Sequence, residues 1–401
     1  IFPPAMAVAK AIQNSKFKIQ SSKFKILRRV FKAVAVEARY AGINTIFAPV
    51  LDINTNPRNP IISTRAFGED PESVSFFGCE MIKTFQSYGI TACGKHFPGH
   101  GDTETDSHIK LPKIKKDIKA LSRTELAPFR NAVKTGVKMI MLGHLNVPAL
   151  DPSGIPVSLS QKAVSYLRNK LGFKGVIITD AMNMGGIGKY SEEKASLLAL
   201  NAGVDILLHP ADPDKVVSYL EEKDAGCTIQ DARYRMHDTR LKKIKTQSFV
   251  PDFNENKRLA EKITKMAIKI DGRLEPLKNP LLIILSDDAN EKGKTLCAEL
   301  KSRYRSLKYL HFRQGEDLKL GGVPRGRELI VAVFSSIRAW KGGASPWLLK
   351  CITELKGKAE IFISFGSPYL IDNIKGGVVK IYAYWASEAA QKAVAEVIIK
   401  R

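Results

Sequence analysis

From residue 45 onward the chain alternates short apolar runs with longer amphipathic stretches. The runs at 45–50, 89–94, 138–142, 175–179 and 204–208 have the length and apolar, often β-branched, content of buried strands. Between them, near 71–88, 116–135, 160–171, 191–202 and 213–223, apolar residues recur at helical spacing. Strands that alternate with helices predict parallel βαβ units, so the expected fold class is α/β. Each predicted strand runs into a polar tail: Leu51-Asp52-Ile53-Asn54, Lys95-His96, Gly143-His144-Leu145-Asn146, Asp180-Ala181-Met182-Asn183 and His209-Pro210-Ala211-Asp212.

Chemistry repeated at successive strand ends is the pattern of a (β/α)8 TIM-like barrel. Fewer strands are visible than such a barrel needs, and the shortfall falls before residue 45, so the opening strands are expected to be absent from this chain. Residues 5–42 read as helical, with Val30, Val34, Ala38 and Ala41 on one stripe. Inside them Ser15-Lys16-Phe17-Lys18-Ile19 recurs as Ser22-Lys23-Phe24-Lys25-Ile26, which fits a short amphipathic extension or, from its alternation, a hairpin. Residues 226–280 read as a charged helical connection. A second α/β set follows, with strands at 281–285, 329–334, 360–364 and 378–384 and helices near 290–303, 346–356 and 387–399. The expected organisation is a barrel domain at 1–245, a helical linker at 246–280 and a smaller three-layer α/β domain at 281–401.

Composition narrows the class. With 401 residues, 44% hydrophobic and 26% charged, the chain is an ordinary globular protein rather than a disordered one. No apolar run approaches the roughly 20 residues that span a bilayer, so no membrane span is expected. The opening Ile1-Phe2-Pro3-Pro4-Ala5-Met6 has no signal-peptide pattern. Cys79, Cys93, Cys227, Cys297 and Cys351 are widely spaced and form no CxxC pair, which predicts isolated reduced thiols and favours a cytoplasmic setting. A chain that does not begin with Met leaves a cell-wall-associated or secreted location open. The formal charge of +23 raises nucleic acid as a partner. Its lysines are spread over helix-like segments without a recognition motif, so they read as solvated faces and no nucleic-acid partner is expected. Long-range attraction to an anionic polymer stays compatible with them.

The densest chemistry lies at 95–108, Lys95-His96-Phe97-Pro98-Gly99-His100-Gly101-Asp102-Thr103-Glu104-Thr105-Asp106-Ser107-His108, read as a loop at the carboxyl end of a buried strand. It could be a metal site built on His96, His100 and His108, although Pro98, Gly99 and Gly101 argue against the helix that would put the first two on one face. It could also be a polar surface loop. Asp180, at the end of another apolar strand, reads equally as a helix N-cap or as a carboxylate that attacks an electrophilic carbon. Retaining glycoside hydrolysis pairs such a nucleophile with a group that gives and takes a proton. His108 can be that group, with Asp106 two residues away to orient its ring.

The run from Lys95 to Asp102, followed by Asp106-Ser107-His108, resembles the signature of the glycoside hydrolase family 3 β-N-acetylhexosaminidases, the peptidoglycan-recycling β-N-acetylglucosaminidase branch. Phe47-Ala48-Pro49-Val50-Leu51-Asp52, Arg65-Ala66-Phe67-Gly68-Glu69-Asp70-Pro71 and Thr179-Asp180-Ala181-Met182 match in order, so the resemblance covers most of 43–210. Phe365-Gly366-Ser367-Pro368-Tyr369 is similar to the second domain of two-domain members. The resemblance implies a retaining exo-β-N-acetylglucosaminidase with Asp180 as nucleophile and Asp106–His108 as acid/base dyad. It also implies that Asp52, Arg65, Lys95 and His96 hold the sugar and that His100 and Asp102 shape the loop. It calls for no cofactor and no metal. The implied partner is an N-acetylglucosamine-containing glycan or muropeptide, and the oligomeric state is left open. Family members open with a Gly-Gly-containing acidic motif and a substrate-facing Arg, to which nothing before Phe2 corresponds. Two alternatives remain: phosphorolysis of the same glycosides, and a peptidoglycan-binding protein without turnover.

Overall fold

The computed structural model describes residues 2–15, 20–223, 249–288, 290, 292–318, 326–335 and 343–400. The chain divides into two compact units, one of Arg28–Ile62 and Ala66–Asp252, the other of Ile1–Leu27, Ser63–Arg65 and Phe253–Arg401.

The first unit is built on a curled sheet of five parallel strands in the order β1-β2-β3-β4-β5. These are β1 (Thr45–Ile46), β2 (Thr91–Phe97), β3 (Met139–Leu142), β4 (Val176–Ala181) and β5 (Ile206–Leu208). Sequential order with helical crossovers is the winding of a TIM-like barrel, and the described residues supply five of its strands. β3 is buried throughout and β4 over its first four residues, as strands covered on both faces must be. The helices start and stop where local chemistry dictates. Asp70 caps Pro71–Ser87 by accepting from the Ser73 N–H at 2.7 Å, with Pro71 already fixed for the first turn. Ser191 caps Glu192–Ala202, which ends at Gly203 in the left-handed region.

β2 reaches further than the apolar run suggested. It pairs Cys93 with Met139 and Gly94 with Ile140, then shifts register before Phe97 meets Leu142. Lys95 and His96 therefore stand on the strand itself, not on a loop, and a buried carboxylate described below explains why the strand admits them.

The second unit carries a six-stranded mixed sheet in the order β6-β11-β10-β9-β7-β8, with only β6 antiparallel to its neighbour. Its strands are β6 (Lys269–Asp271), β7 (Pro280–Ser286), β8 (Lys308–Arg313), β9 (Glu328–Ser335), β10 (Ile361–Gly366) and β11 (Val379–Tyr382). The apolar runs gave the central strands. β6 and β8, which they did not, are the two edges, where exposure permits Lys269, Asp271, Lys308 and Arg313. The helices Ala5–Asn14 and Phe253–Ala267 pack on one another in this unit, so neither the expected linker at 246–280 nor the expected start of the barrel domain at residue 1 coincides with the units observed. Within 5–42, expected to be helical, the described residues form helices Ala5–Asn14 and Gln20–Tyr40. The second Ser-Lys-Phe-Lys-Ile copy lies in the latter rather than in a hairpin, and 16–19 of the first copy fall outside the described residues. Among the described residues no helix is long and apolar enough to cross a membrane.

Phe97, the last residue of β2, meets Phe129 edge-on at 5.4 Å between ring centroids, with both side chains fully buried. Phe129→Ala should cost about 3–5 kcal/mol of stability through lost burial and the cavity left behind. Urea unfolding of the two proteins measures it, and a loss under about 1 kcal/mol would show that the surroundings collapse onto the gap.

Candidate active site

Asp52, six residues past β1, has no exposed surface. One carboxylate oxygen accepts the backbone N–H groups of His96 and His100 at 3.1 and 2.7 Å, and the other lies 2.7 Å from His96 Nδ1. Burial pushes the Asp52 carboxyl up, but the attraction of His96 and these hydrogen bonds outweigh it and hold the group below the ordinary carboxylate range. Asp52, expected to grip sugar hydroxyls, is enclosed, and both its oxygens are engaged within the protein. What it does is fix the end of β2 and the ring of His96.

The loop that follows is anchored from three sides. The Asn59 amide donates to the carbonyls of His100 and Thr103 at 2.8 and 3.0 Å. Asp102 accepts from Thr55 Oγ1 at 3.2 Å and pairs with Lys116 at 3.2 Å, and Lys116 also binds the fully buried Glu125. A Cβ added at Gly101 would sit 1.7 Å from the Ile53 carbonyl oxygen, so only glycine allows this approach. His100 is buried with Nδ1 2.7 Å from Thr103 Oγ1, and no protein atom partners its Nε2. Burial lowers its pKa to about 4, against the raising influence of Asp52. His100 and Asp102 thus face the loop's own architecture.

At the loop's far end the buried Asp106 holds His108 twice, accepting from its backbone N–H at 2.9 Å and lying 2.7 Å from its Nδ1. The same peptides are gripped from β4's side: the N–H groups of Gly185 and Gly186 donate to the carbonyls of His108 and Ser107 at 3.0 and 2.8 Å. The turn that supplies them, Gly185–Ile187, follows Asp180 by five residues.

Asp180 lies within β4 near its carboxyl end, with a side chain 17% exposed. Its Oδ1 accepts the Ala181 N–H at 2.9 Å and its Oδ2 stands 3.9 Å from His96 Nε2. Burial raises its pKa, yet His96, the Ala181 N–H and Lys95 pull it net below the ordinary value, which keeps the carboxylate ionised. Lys95 extends its ammonium over the Phe47 ring, 6.0 Å from the centroid. The structure thus brings Asp52, Lys95, His96 and Asp180 into one electrostatic group at the carboxyl-end side of β1, β2 and β4. Arg65 ends the short turn Ser63–Arg65, which belongs to the other unit.

One residue was missed as a candidate. His144, two residues past β3, is buried, with Nδ1 2.6 Å from Ser158 Oγ and Nε2 3.0 Å from the Ala181 carbonyl oxygen. Burial lowers its pKa. Its signal was the strand-end tail Gly143-His144-Leu145-Asn146, but one histidine after a buried strand reads equally as a core residue. For a metal, the Nδ1 atoms of His96, His100 and His108 are taken by Asp52, Thr103 and Asp106. Among the described residues no cluster of three or more His, Cys, Asp or Glu is arranged to hold an ion.

Carboxylates and carboxylate-paired histidines at the carboxyl ends of parallel strands define a barrel-type α/β enzyme fold. A family model described as the glycosyl hydrolase family 3 N terminal domain matches residues 1–244, and the chain belongs to that family. It is 39% identical over 195 residues to β-hexosaminidase A of Pseudoalteromonas piscicida, covering 45% of this chain and 33% of that protein. It is 36% identical over 185 residues to a β-hexosaminidase of Methylobacillus flagellatus, covering 45% and 52%. The chain thus spans a third to about half of these curated relatives. Among solved structures, a family 3 β-N-acetylglucosaminidase from Paenibacillus sp. str. FPU-7 superposes with a TM-score of 0.82 at 28% identity, over 100% of this chain and 80% of that one.

His100 gives the site a pH signature. A histidine whose pKa is lowered by folding favours the native state while neutral. Its contribution is complete above the unfolded value of 6.5 and is lost as pH falls toward about 4. The loss is on the order of 3 kcal/mol, from 1.36 kcal/mol per pKa unit, and His144 acts in the same direction. Stability of wild type and His100→Gln measured by urea unfolding from pH 7 to 4 should fall more steeply in the wild type. Parallel curves would mean that folding leaves the pKa of His100 unshifted.

Proposed function

We propose that this chain releases terminal β-linked N-acetylglucosamine from muropeptides or related glycosides by hydrolysis with retention of configuration. The observation that carries the reading is the short contact of His108 Nδ1 with the buried Asp106, in a unit whose strand-end carboxylate Asp180 is held ionised. A ring nitrogen committed to a buried carboxylate fixes the tautomer and leaves Nε2 as the atom that exchanges a proton. In the first step an Asp180 oxygen attacks the anomeric carbon while His108 passes its Nε2 proton to the departing glycosidic oxygen, giving a glycosyl ester and an alcohol. In the second, water gives its proton to His108 Nε2 and its oxygen to the anomeric carbon, and Asp180 leaves as a carboxylate. Asp106 stabilises the imidazolium that donates in the first step and re-forms in the second.

Lys95 and His96 bind sugar hydroxyls beside Asp180, and Asp52 acts on the sugar through His96. The hexosaminidase names of the similar proteins support an amino-sugar substrate. The +23 charge supports an anionic aglycone such as a muropeptide, drawn in by long-range attraction. A histidine rather than a carboxylate as the proton carrier would also repel an incoming phosphate less. Phosphorolysis is therefore the second reading, distinguished by a sugar 1-phosphate product.

Wild type should release chromophore from an aryl β-N-acetylglucosaminide. Asp180→Ala should reduce kcat by about 10³-fold or more, and His108→Ala should reduce kcat/KM by about 10²–10⁴-fold on substrates whose leaving group needs a proton. A 2-fluoro-sugar label found by mass spectrometry on any residue other than Asp180 would falsify the assignment.

A further inference from the structure

We propose that His144 is a positioning residue that sets the separation between Asp180 and the Asp106–His108 pair. It would do so through one hydrogen bond to the strand that carries the nucleophile and one steric wedge under the loop that carries the dyad. The proposal rests on the roles assigned above to Asp180 and His108, and on geometry none of those roles uses.

The hydrogen bond has only one sense. The Ala181 carbonyl can only accept, so the Nε2 that faces it at 3.0 Å carries the proton. Nδ1 is then bare and accepts the Ser158 hydroxyl at 2.6 Å. His144 is fully buried, and burial disfavours its charged form, so it stays a neutral donor at neutral pH. That donor fixes the carbonyl of Ala181, the residue after Asp180, and the N–H of the same residue, in the preceding peptide group, binds Asp180 Oδ1 at 2.9 Å. His144 and the carboxylate are thus held by the C=O and the N–H of one residue, on either side of its Cα.

The wedge acts on the other partner. A Cβ placed on Gly186 would fall 2.7 Å from His144 Cβ and 2.7 Å from the Ser107 carbonyl oxygen, so histidine, glycine and dyad loop are in direct contact. Gly143, next to His144, lies close to His96: a Cβ there would meet His96 Cβ at 3.2 Å. His144 thus lies between β4 and the turn that holds the dyad loop: its ring grips the Ala181 carbonyl while its Cβ abuts Gly186, so loss of the ring frees β4's end relative to the loop. Buried polar side chains with every hydrogen bond committed are the usual means of holding such distances.

The test separates positioning from mere stability. For wild type, His144→Ala and His144→Gln, kcat/KM is measured on a series of aryl β-N-acetylglucosaminides whose phenols span a range of acidity. Alanine keeps the Cβ contact but loses the hydrogen bond to β4, which shifts Asp180 against the dyad and weakens proton donation to the bound glycoside, so His144→Ala should lose about 10–100-fold on the least acidic phenol and far less on the most acidic, a steeper leaving-group dependence. Glutamine places an amide N–H where Nε2 stood and should recover much of the loss. An unchanged slope in both variants, whatever happens to Tm, overturns the proposal. If wild type releases nothing from any substrate, the functional reading fails instead. The local geometry is then judged by ¹⁵N spectra of the histidines at pH 7: a His144 proton on Nε2 is expected, and one on Nδ1 overturns the proposal independently of activity.

Discussion

An ionised carboxylate with no exposed surface organises the first unit's site. Removing such a group from solvent costs several kcal/mol unless hydrogen bonds and opposite charge replace its hydration. Asp52 meets that demand with the N–H groups of His96 and His100 and the ring of His96. All three donors come from the end of β2 and the residues just beyond it. The path of the chain from Lys95 to His100 is thus the path that satisfies one buried charge, and the ring it orients points its second nitrogen toward Asp180. Electrostatics inside the core decides where polar chemistry emerges at the surface.

Much of the scaffold was legible because central parallel strands must be apolar on both faces. β3, β4, β7, β9 and β10 show this, and their runs stand out from amphipathic neighbours. The failures share a cause in exposure. β6 and β8 are edges whose outer sides face water, so their lysines, aspartate and arginine broke the apolar signal without breaking the ladder. The end of β2 failed for the opposite reason: Lys95 and His96 look like loop residues because the partner that makes them tolerable, Asp52, is 44 residues away.

The site was legible as a set of residues and less so as a set of relations. Asp106 and His108 are two residues apart, and their pairing could be read from spacing alone. The enclosure of Asp52 could not, because an aspartate after a strand is as compatible with solvent as with a cage of donors. His144 was invisible for a related reason. Its importance comes from facing the carbonyl of the residue after Asp180, a contact between residues 37 apart in the chain.

The glycines of this site constrain it in a way its charged residues do not. An aspartate or histidine can be exchanged for an amide of similar shape while the backbone stays in place. At Gly101, Gly185 and Gly186 a single added methyl would fall 1.7, 2.4 and 2.7 Å from a peptide oxygen, closer than any packing adjustment of a side chain can relieve. Mutational drift can therefore retune the chemistry at these strand ends far more readily than it can alter the spacing between groups. The geometry is carried by residues that have no side chain to select, and a family built on this frame would diversify in reaction sooner than in shape.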